Sequence, residues 1–281
     1  MMRTVRSSAA LAAVEAAARG QGLPTGDMRV LRDLTNLLVH LAPAPVVARV
    51  PLTLSRLRGA DWFRTEVELA RFLTRAGAPV APLAAAADPG PHEHRGLLVS
   101  FWAYVDHDPE RADAAAAGRS LRELHDALEG WRGALPTCDR LDEVQRLLAE
   151  LEPSDLVSAD ELDALRAVAA AREPLGRGRP LHGDAHLGNV LWSPAGPRWT
   201  DLENACSGAV EYDLACVAWR GSPETDVFLA GYGPHDAALR DGLEPVLALF
   251  LAAWTIVVVS RAPTPGGIEE ARRRIGRALK N

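Results

Sequence analysis

The sequence predicts an α+β protein of two lobes, a small antiparallel-sheet lobe at the amino end and a larger, mainly helical lobe after it. Three observations carry the prediction. Up to about Leu98, short β-branched and apolar runs alternate with turn residues around one strong helical pattern. Beyond Asp108, apolar residues recur at helical spacing through most of the chain. The stretch from Pro180 to Leu202 interrupts those helices with a polar loop and a short hairpin.

Taken in order, Met1 to Gly20 carries an Ala-rich apolar run. Glu15 and Arg19 break it before it reaches the length of a secretory signal, which leaves an amphipathic helix. Met28–Leu31 and Leu37–Leu41 read as strands, joined by the turn residues Asp33-Leu34-Thr35-Asn36. Pro43-Ala44-Pro45 makes a second turn, and Val46–Val50 a third strand. From Ala60 to Ala76, Phe63, Val67, Ala70 and Leu73 mark one helix face and Gly77 supplies the stop. Pro79, Pro82, Pro89 and Pro91 then break the chain, with His92 and His94 in an exposed loop, before the strand Leu97–Trp102. Helices follow at Asp113–Leu128, at Leu141–Leu151, and from a capping box at Ser158-Ala159-Asp160-Glu161 through Arg172. Two more helical regions, Thr225–Gly231 and Ala237–Val259, precede a terminal helix bearing Arg272, Arg273, Arg274 and Arg277. The apolar run Val246–Val259 falls short of the roughly 20 residues of a membrane span and reads as a buried helix. The lobes are expected to be residues 1–102 and 103–281, with a cleft between them.

Composition narrows the class of function. The 281 residues are 48% hydrophobic and 24% charged, which excludes wholesale disorder. A net charge of −6 argues against a general nucleic-acid partner. Cys138, Cys206 and Cys216 form no closely spaced pair, which excludes a disulfide scaffold and fits a reducing cytoplasm. With no apolar run of spanning length, the protein is expected to be soluble and without a membrane partner, as a monomer or homodimer. Lys280 is the only lysine. A lysine-bearing phosphate loop, a Schiff base and a catalytic lysine are therefore all excluded.

The chemistry concentrates in His182-Gly183-Asp184-Ala185-His186-Leu187-Gly188-Asn189, followed by Asp201. Ser193-Pro194-Ala195-Gly196-Pro197 is a turn cluster, so Val190–Trp192 and Arg198–Leu202 should pair as a hairpin. Centring that hairpin on Ala195 sets Asn189 directly opposite Asp201, at a spacing where an amide oxygen and a carboxylate suit a hard cation such as Mg²⁺. Asp184, on the loop entering the hairpin, is placed to accept a proton from a substrate hydroxyl during phosphoryl transfer. In the first lobe, the strand cation Arg49 and the helix carboxylate Glu66 are candidates for a pair that grips phosphates. Arginine there replaces the usual lysine with a rigid fork.

This constellation, continued by Tyr212-Asp213-Leu214-Ala215, resembles the HGDxHxxN…D…DLA pattern of the aminoglycoside phosphotransferase family, which includes choline-kinase-like and other small-molecule kinases. Phe63-Arg64-Thr65-Glu66, Gly77-Ala78-Pro79-Val80 and Leu121-Arg122-Glu123-Leu124-His125 resemble further family segments, and the likeness runs over roughly residues 28 to 260. The resemblance implies the bilobal protein-kinase-like fold and a kinase using ATP or GTP with Mg²⁺ on a small-molecule hydroxyl. Its acceptor would be an aminoglycoside, another antibiotic, or a hydroxylated metabolite. It further implies Asp184 as general base, Asn189 and Asp201 as Mg²⁺ ligands, and Arg49 on phosphates while paired with Glu66. Thr35 and Asn36 would lie at the nucleotide, Ser100 and Trp102 would receive the adenine, and Asp213 would brace the catalytic loop. The turn at Leu34–Leu37 has no glycine where protein kinases carry a Gly-rich loop, and Leu202 stands where they have Phe.

Two other readings remain open at this point. A nucleotide-binding regulatory protein with a degenerate kinase fold would account for Arg49 and the glycine-free turn. A metallohydrolase would recruit His182 and His186 to zinc, given further His, Cys or carboxylate ligands.

Overall fold

The computed structural model describes residues 5–52 and 58–280, so residues 1–4 of the opening stretch lie outside the described residues. These residues gather into two compact units, each made of several chain segments. The first takes in Met1–Gly133, Leu187–Asn204 and Val227–Tyr232, and the second Ala134–His186, Ala205–Asp226 and Gly233–Asn281.

The first unit is built on a five-stranded sheet in the order β1 (Asp27–Asp33), β2 (Asn36–Ala42), β3 (Val46–Pro51), β5 (Leu97–Ala103), β4 (His92–His94). All neighbours are antiparallel. Helix α1 (Val5–Gly20) lays its small residues Ala10, Ala13, Val14 and Ala18 on this sheet, closing a core with Leu37, Val39, Leu41, Val99 and Phe101. Burial of such side chains contributes roughly 1.5–3 kcal/mol for each large aliphatic or Phe. Strand β4 corrects the sequence reading, which put His92 and His94 in a loop. Three residues with no apolar alternation are recruited by the edge of β5, where His92 pairs with Val99 and His94 with Leu97.

Helix α2 (Ala60–Arg75) turns Phe63, Glu66, Val67, Leu69, Ala70 and Leu73 inward and ends before Gly77, whose φ of 71° suits a residue without Cβ. Helix α3 (Ala114–Leu128) starts where the Asp113 carboxylate accepts the Ala116 N–H at 2.9 Å. His125 on that helix is a core residue, its ring nitrogen 2.9 Å from the Tyr232 hydroxyl.

The hairpin of this unit pairs β7 (Val190–Ser193) with β8 (Gly196–Trp199), and here the expected register is overturned by one residue. Val190 faces Trp199 and Ser193 faces Gly196, so the loop is the two residues Pro194 and Ala195 and not a turn centred on Ala195. Gly196 takes a φ of 104° to rejoin the ladder immediately. Asn189 therefore stands opposite Thr200, whose N–H donates to the Asn189 carbonyl at 2.9 Å. Asp201 lies one step beyond, out of the ladder, with a φ of 65°.

The second unit is mostly helical: α4 (Leu141–Glu150), α5 (Ala159–Ala170), α6 (Glu211–Trp219), α8 (Ala237–Gly242), α9 (Glu244–Arg261) and α10 (Pro265–Ala278). Helix α7 (Thr225–Tyr232) begins in this unit and ends in the first. The single helical region expected over Ala237–Val259 is two helices that break at Leu243, ahead of Pro245 at the start of α9. The stretch Ala237–Arg261 has the length and apolarity of a membrane span, and 67% of that apolar window is buried inside the protein. Among the helices a two-stranded antiparallel ribbon, β6 (Arg179–Leu181) with β9 (Cys206–Gly208), delivers the chain to His182.

Candidate active site

In the second unit, β6 ends at Leu181 and the next three residues form a tight loop held from below. Asp213, in the first turn of α6, is wholly buried. Its Oδ2 accepts the His182 N–H at 2.9 Å and its Oδ1 the Gly183 N–H at 2.8 Å. Hydrogen bonds to a charged acceptor contribute roughly 1.5–3 kcal/mol each, so this one carboxylate fixes the loop. Gly183 adopts a φ of 83°, open to glycine at little cost. The buried His182 ring adds a third tie, its Nδ1 accepting the Asp184 N–H at 3.3 Å. These contacts present the Asp184 side chain 30% exposed, with His186 Nε2 3.8 Å and Arg220 Nη2 4.0 Å from its two oxygens. A half-exposed carboxylate on a rigid loop is the arrangement a proton acceptor needs.

The first unit gathers charge around Arg49. From β3 its guanidinium donates to Glu66 Oε2 at 2.6 Å and to Asp201 Oδ1 at 2.9 Å, and it contacts Glu203 as well. Burial opposes the charge on Arg49, and the three carboxylates overcome it, holding the guanidinium above its ordinary value. Burial likewise raises Glu66 despite Arg49, and pushes Glu203 up to about 8, with Asp201 adding to the rise. Arg58 Nη1 donates to the Glu203 carbonyl at 3.1 Å and Trp62 Nε1 to the same oxygen at 2.6 Å, which pins the short turn Leu202–Asn204. Arg49 thus meets three carboxyl groups, and the Glu66 Oε1 atom has no hydrogen-bond partner. The oxygens of Asp201 and Asn189 are the hard donors Mg²⁺ prefers.

Of the sequence-predicted residues, Arg49, Glu66 and Asp201 meet in this cluster. Asn189 is buried at the base of the hairpin, in a single 3₁₀ turn, Leu187–Asn189. Thr35 and Asn36 close the β1–β2 turn, where the Thr35 carbonyl accepts the Leu52 N–H at 2.9 Å. The Asn36 side chain is buried with its Oδ1 unpartnered. Ser100 is paired in register with Arg49, and Trp102 with Val47. The Trp102 indole donates to Ser100 Oγ at 2.9 Å, and Leu83 bridges the far side of the strand at Trp102. Sequence reasoning missed Glu203 and Arg220. Glu203 had one signal, its place two residues after a candidate metal carboxylate. Arg220 had none, since only the fold brings the end of α6 beside Asp184. Among the described residues no group of three or more His, Cys, Asp or Glu side chains is arranged to hold a metal ion by itself, so the ligand set a zinc metallohydrolase requires is not found among them.

A rigid loop carboxylate braced by a buried aspartate, with a strand cation tied to a helix carboxylate, defines a protein of kinase-like fold. Solved structures agree. Choline kinase LicA from Streptococcus pneumoniae is similar with a TM-score of 0.68 at 15% identity, covering 96% of this chain and 97% of that one. The amicoumacin kinase hAmiN, solved with AMP-PNP, Ca²⁺ and Ami, is similar with a TM-score of 0.67 at 11% identity, covering 99% and 96%. An aminoglycoside phosphotransferase solved with GDP and kanamycin gives 0.64 at 15%, covering 96% and 99%. Identities this low speak for the fold alone. Among curated protein sequences none matches. The model of the phosphotransferase enzyme family matches residues 28–248, most of the chain, and the protein belongs to that family.

Proposed function

We propose that this protein is a cytoplasmic kinase that transfers the γ-phosphoryl group of ATP or GTP to a hydroxyl of a small molecule. The observation that carries this reading is the Asp213 brace, which fixes the loop main chain and leaves the Asp184 carboxylate accessible. Asp184 takes the proton of the acceptor hydroxyl as its oxygen bonds to the γ-phosphorus. The bond from that phosphorus to the β–γ bridging oxygen breaks, and the nucleoside diphosphate leaves with the electron pair. Arg49, kept in place by Glu66, supplies positive charge to the nucleotide phosphates. Asn189 and Asp201 would hold Mg²⁺. When bound, that ion neutralises phosphate charge. Thr35, Asn36, Ser100 and Trp102 belong to the nucleotide side in this reading, with residues 1–102 serving the nucleotide and 103–281 catalysis and the acceptor. Those are functional limits, and the compact units have their own.

The test is nucleoside diphosphate release from ATP with Mg²⁺ across a panel of hydroxylated compounds. Acceptor-dependent release by the native protein, lost in Asp184→Asn while nucleotide binding persists, is the expected result. Nucleotide binding with no acceptor-dependent release by either form would overturn it in favour of a regulatory nucleotide-binding protein.

A further inference from the structure

The side chains beside Asp184 bear on what the acceptor is. Arg220 caps the carboxyl end of α6 and is 43% exposed, with its Nη2 4.0 Å from Asp184 Oδ1. That is ion-pair range but beyond hydrogen-bond length, and among the described residues the Arg220 guanidinium makes no side-chain hydrogen bond. Its donors are therefore available to something that arrives next to the reacting hydroxyl. The two cations of α10 nearest to Arg220 are already occupied. Arg277 stacks 3.6 Å over the Trp219 ring, the residue before Arg220, and donates to Glu244 at 2.8 Å. Arg274 donates to Glu270 and to Thr255 Oγ1 at 2.7 Å, and Arg220 acts on it as a like charge. The basic face of α10 thus borders the end of α6.

Two acids flanking Arg220 in sequence are already engaged. Glu211 is buried and accepts the Asp236 N–H at 3.1 Å, while Glu224 is tied to the Ser222 hydroxyl. An amine brought to within 4 Å of Arg220 would meet a like charge, a penalty on the order of tenfold or more in affinity. A carboxylate or phosphate would meet a fork that matches its geometry and, among the described residues, makes no hydrogen bond of its own, only the long ion pair with Asp184.

We propose that Arg220 is a specificity residue that receives an oxyanion of the acceptor, so the preferred acceptors are hydroxylated carboxylates or phosphate monoesters and not polycationic amines. The inference rests on Asp184 being the base of the proposed kinase. Steady-state kinetics with size-matched hydroxy-carboxylates, phosphate monoesters, neutral polyols and amino alcohols test it, alongside calorimetric binding of the same compounds to nucleotide-free protein. The native protein should favour one of the two oxyanion arms, and the winning arm identifies the group. Arg220→Ala should raise KM for that arm by about tenfold or more, a rise several times larger than for neutral polyols. Arg220→Lys should restore part of the loss, and Arg220→Glu should shift the preference toward amines. A native preference for amines, or an unchanged oxyanion KM in Arg220→Ala with folding verified by circular dichroism, would overturn the proposal. The underlying kinase reading fails separately. In that case Asp184→Asn would turn over like the native protein, while calorimetric oxyanion binding and its loss in Arg220→Ala persist and still support Arg220 as the receptor.

Discussion

In the second unit the buried Asp213 directs its charge at two main-chain N–H groups, whereas in the first unit the buried Arg49 sits among three carboxylate side chains. The first device fixes backbone and asks nothing of other side chains. The second fixes side chains against each other, at the desolvation cost of four buried or partly buried ionisable groups. The consequence is a difference in brittleness. Removing Asp184 subtracts chemistry from an otherwise satisfied loop, while removing Arg49 strands its partners.

The largest expected effect follows from that contrast. Asp184→Asn should lower kcat by about 10²–10⁴-fold, the usual contribution of a general base. Its thermal midpoint should stay close to that of the native protein, because the loop is held by Asp213 and not by Asp184. A variant that lost activity and stability together would show that Asp184 is structural, and the contrast would collapse. Arg49→Ala comes next. It leaves Glu66, Asp201 and Glu203 without the guanidinium and should cost about 3–5 kcal/mol in urea unfolding. Arg49→Lys should recover only part, since one ammonium cannot reproduce a fork shared by three acids. A loss below about 1 kcal/mol for Arg49→Ala would mean the acids neutralise themselves by protonation.

Asp213→Asn sharpens the other side. The amide keeps the shape but replaces one acceptor oxygen with a donor facing an N–H, so about 2–3 kcal/mol of stability should go. Turnover should fall as well, since the loop that aims Asp184 loosens. A full loss of turnover with unchanged stability would instead place Asp213 among the reacting groups.

How much of this was legible in the sequence depends on the range of the forces involved. Local signals translated directly: β1 to β3, α2 with its Gly77 stop, and the Ser158 capping box all lie where composition and spacing put them. Arg49 and Glu66 were readable from the residues only as candidate partners on neighbouring elements; the pairing itself came from the family resemblance, and it forms at 2.6 Å. The hairpin register was not readable. The five-residue cluster Ser193–Pro197 is symmetric about Ala195, but the φ of 104° at Gly196 lets the strand resume early, and Pro197 is tolerated within β8 opposite Trp192. A shift of one residue moved Asp201 out of the ladder and into the Arg49 cluster. The strands β4, β6 and β9 were illegible because three residues carry no periodicity and long-range pairing alone defines them. Helix α6 escaped for the opposite reason: it is buried almost all round, so no polar face marks it.

The smallest effect tests whether the main-chain device works at the surface too. At the start of α5 the Glu161 carboxylate accepts the Ser158 N–H at 2.8 Å, Ser158 Oγ accepts the Glu161 N–H at 3.2 Å, and Arg272 Nη1 adds an ion pair at 3.1 Å. The Ser158 N–H chiefly holds the Glu161 carboxyl below its ordinary value of 4.5, with Arg272 assisting. A depressed value in the folded state means stability that is fully present above the ordinary carboxylate range and lost as pH falls through the depressed value. Ser158→Ala should therefore cost about 1 kcal/mol at neutral pH, the typical loss of a helix cap. Glu161→Gln should cost less than that, since its amide oxygen can still accept the Ser158 N–H. The gap between native and Glu161→Gln, read from urea unfolding at neutral pH and again well below 4.5, should close in acid. A gap of equal size at both would show that the carboxylate charge adds nothing to the cap, and that the Asp213 device works only where water is excluded.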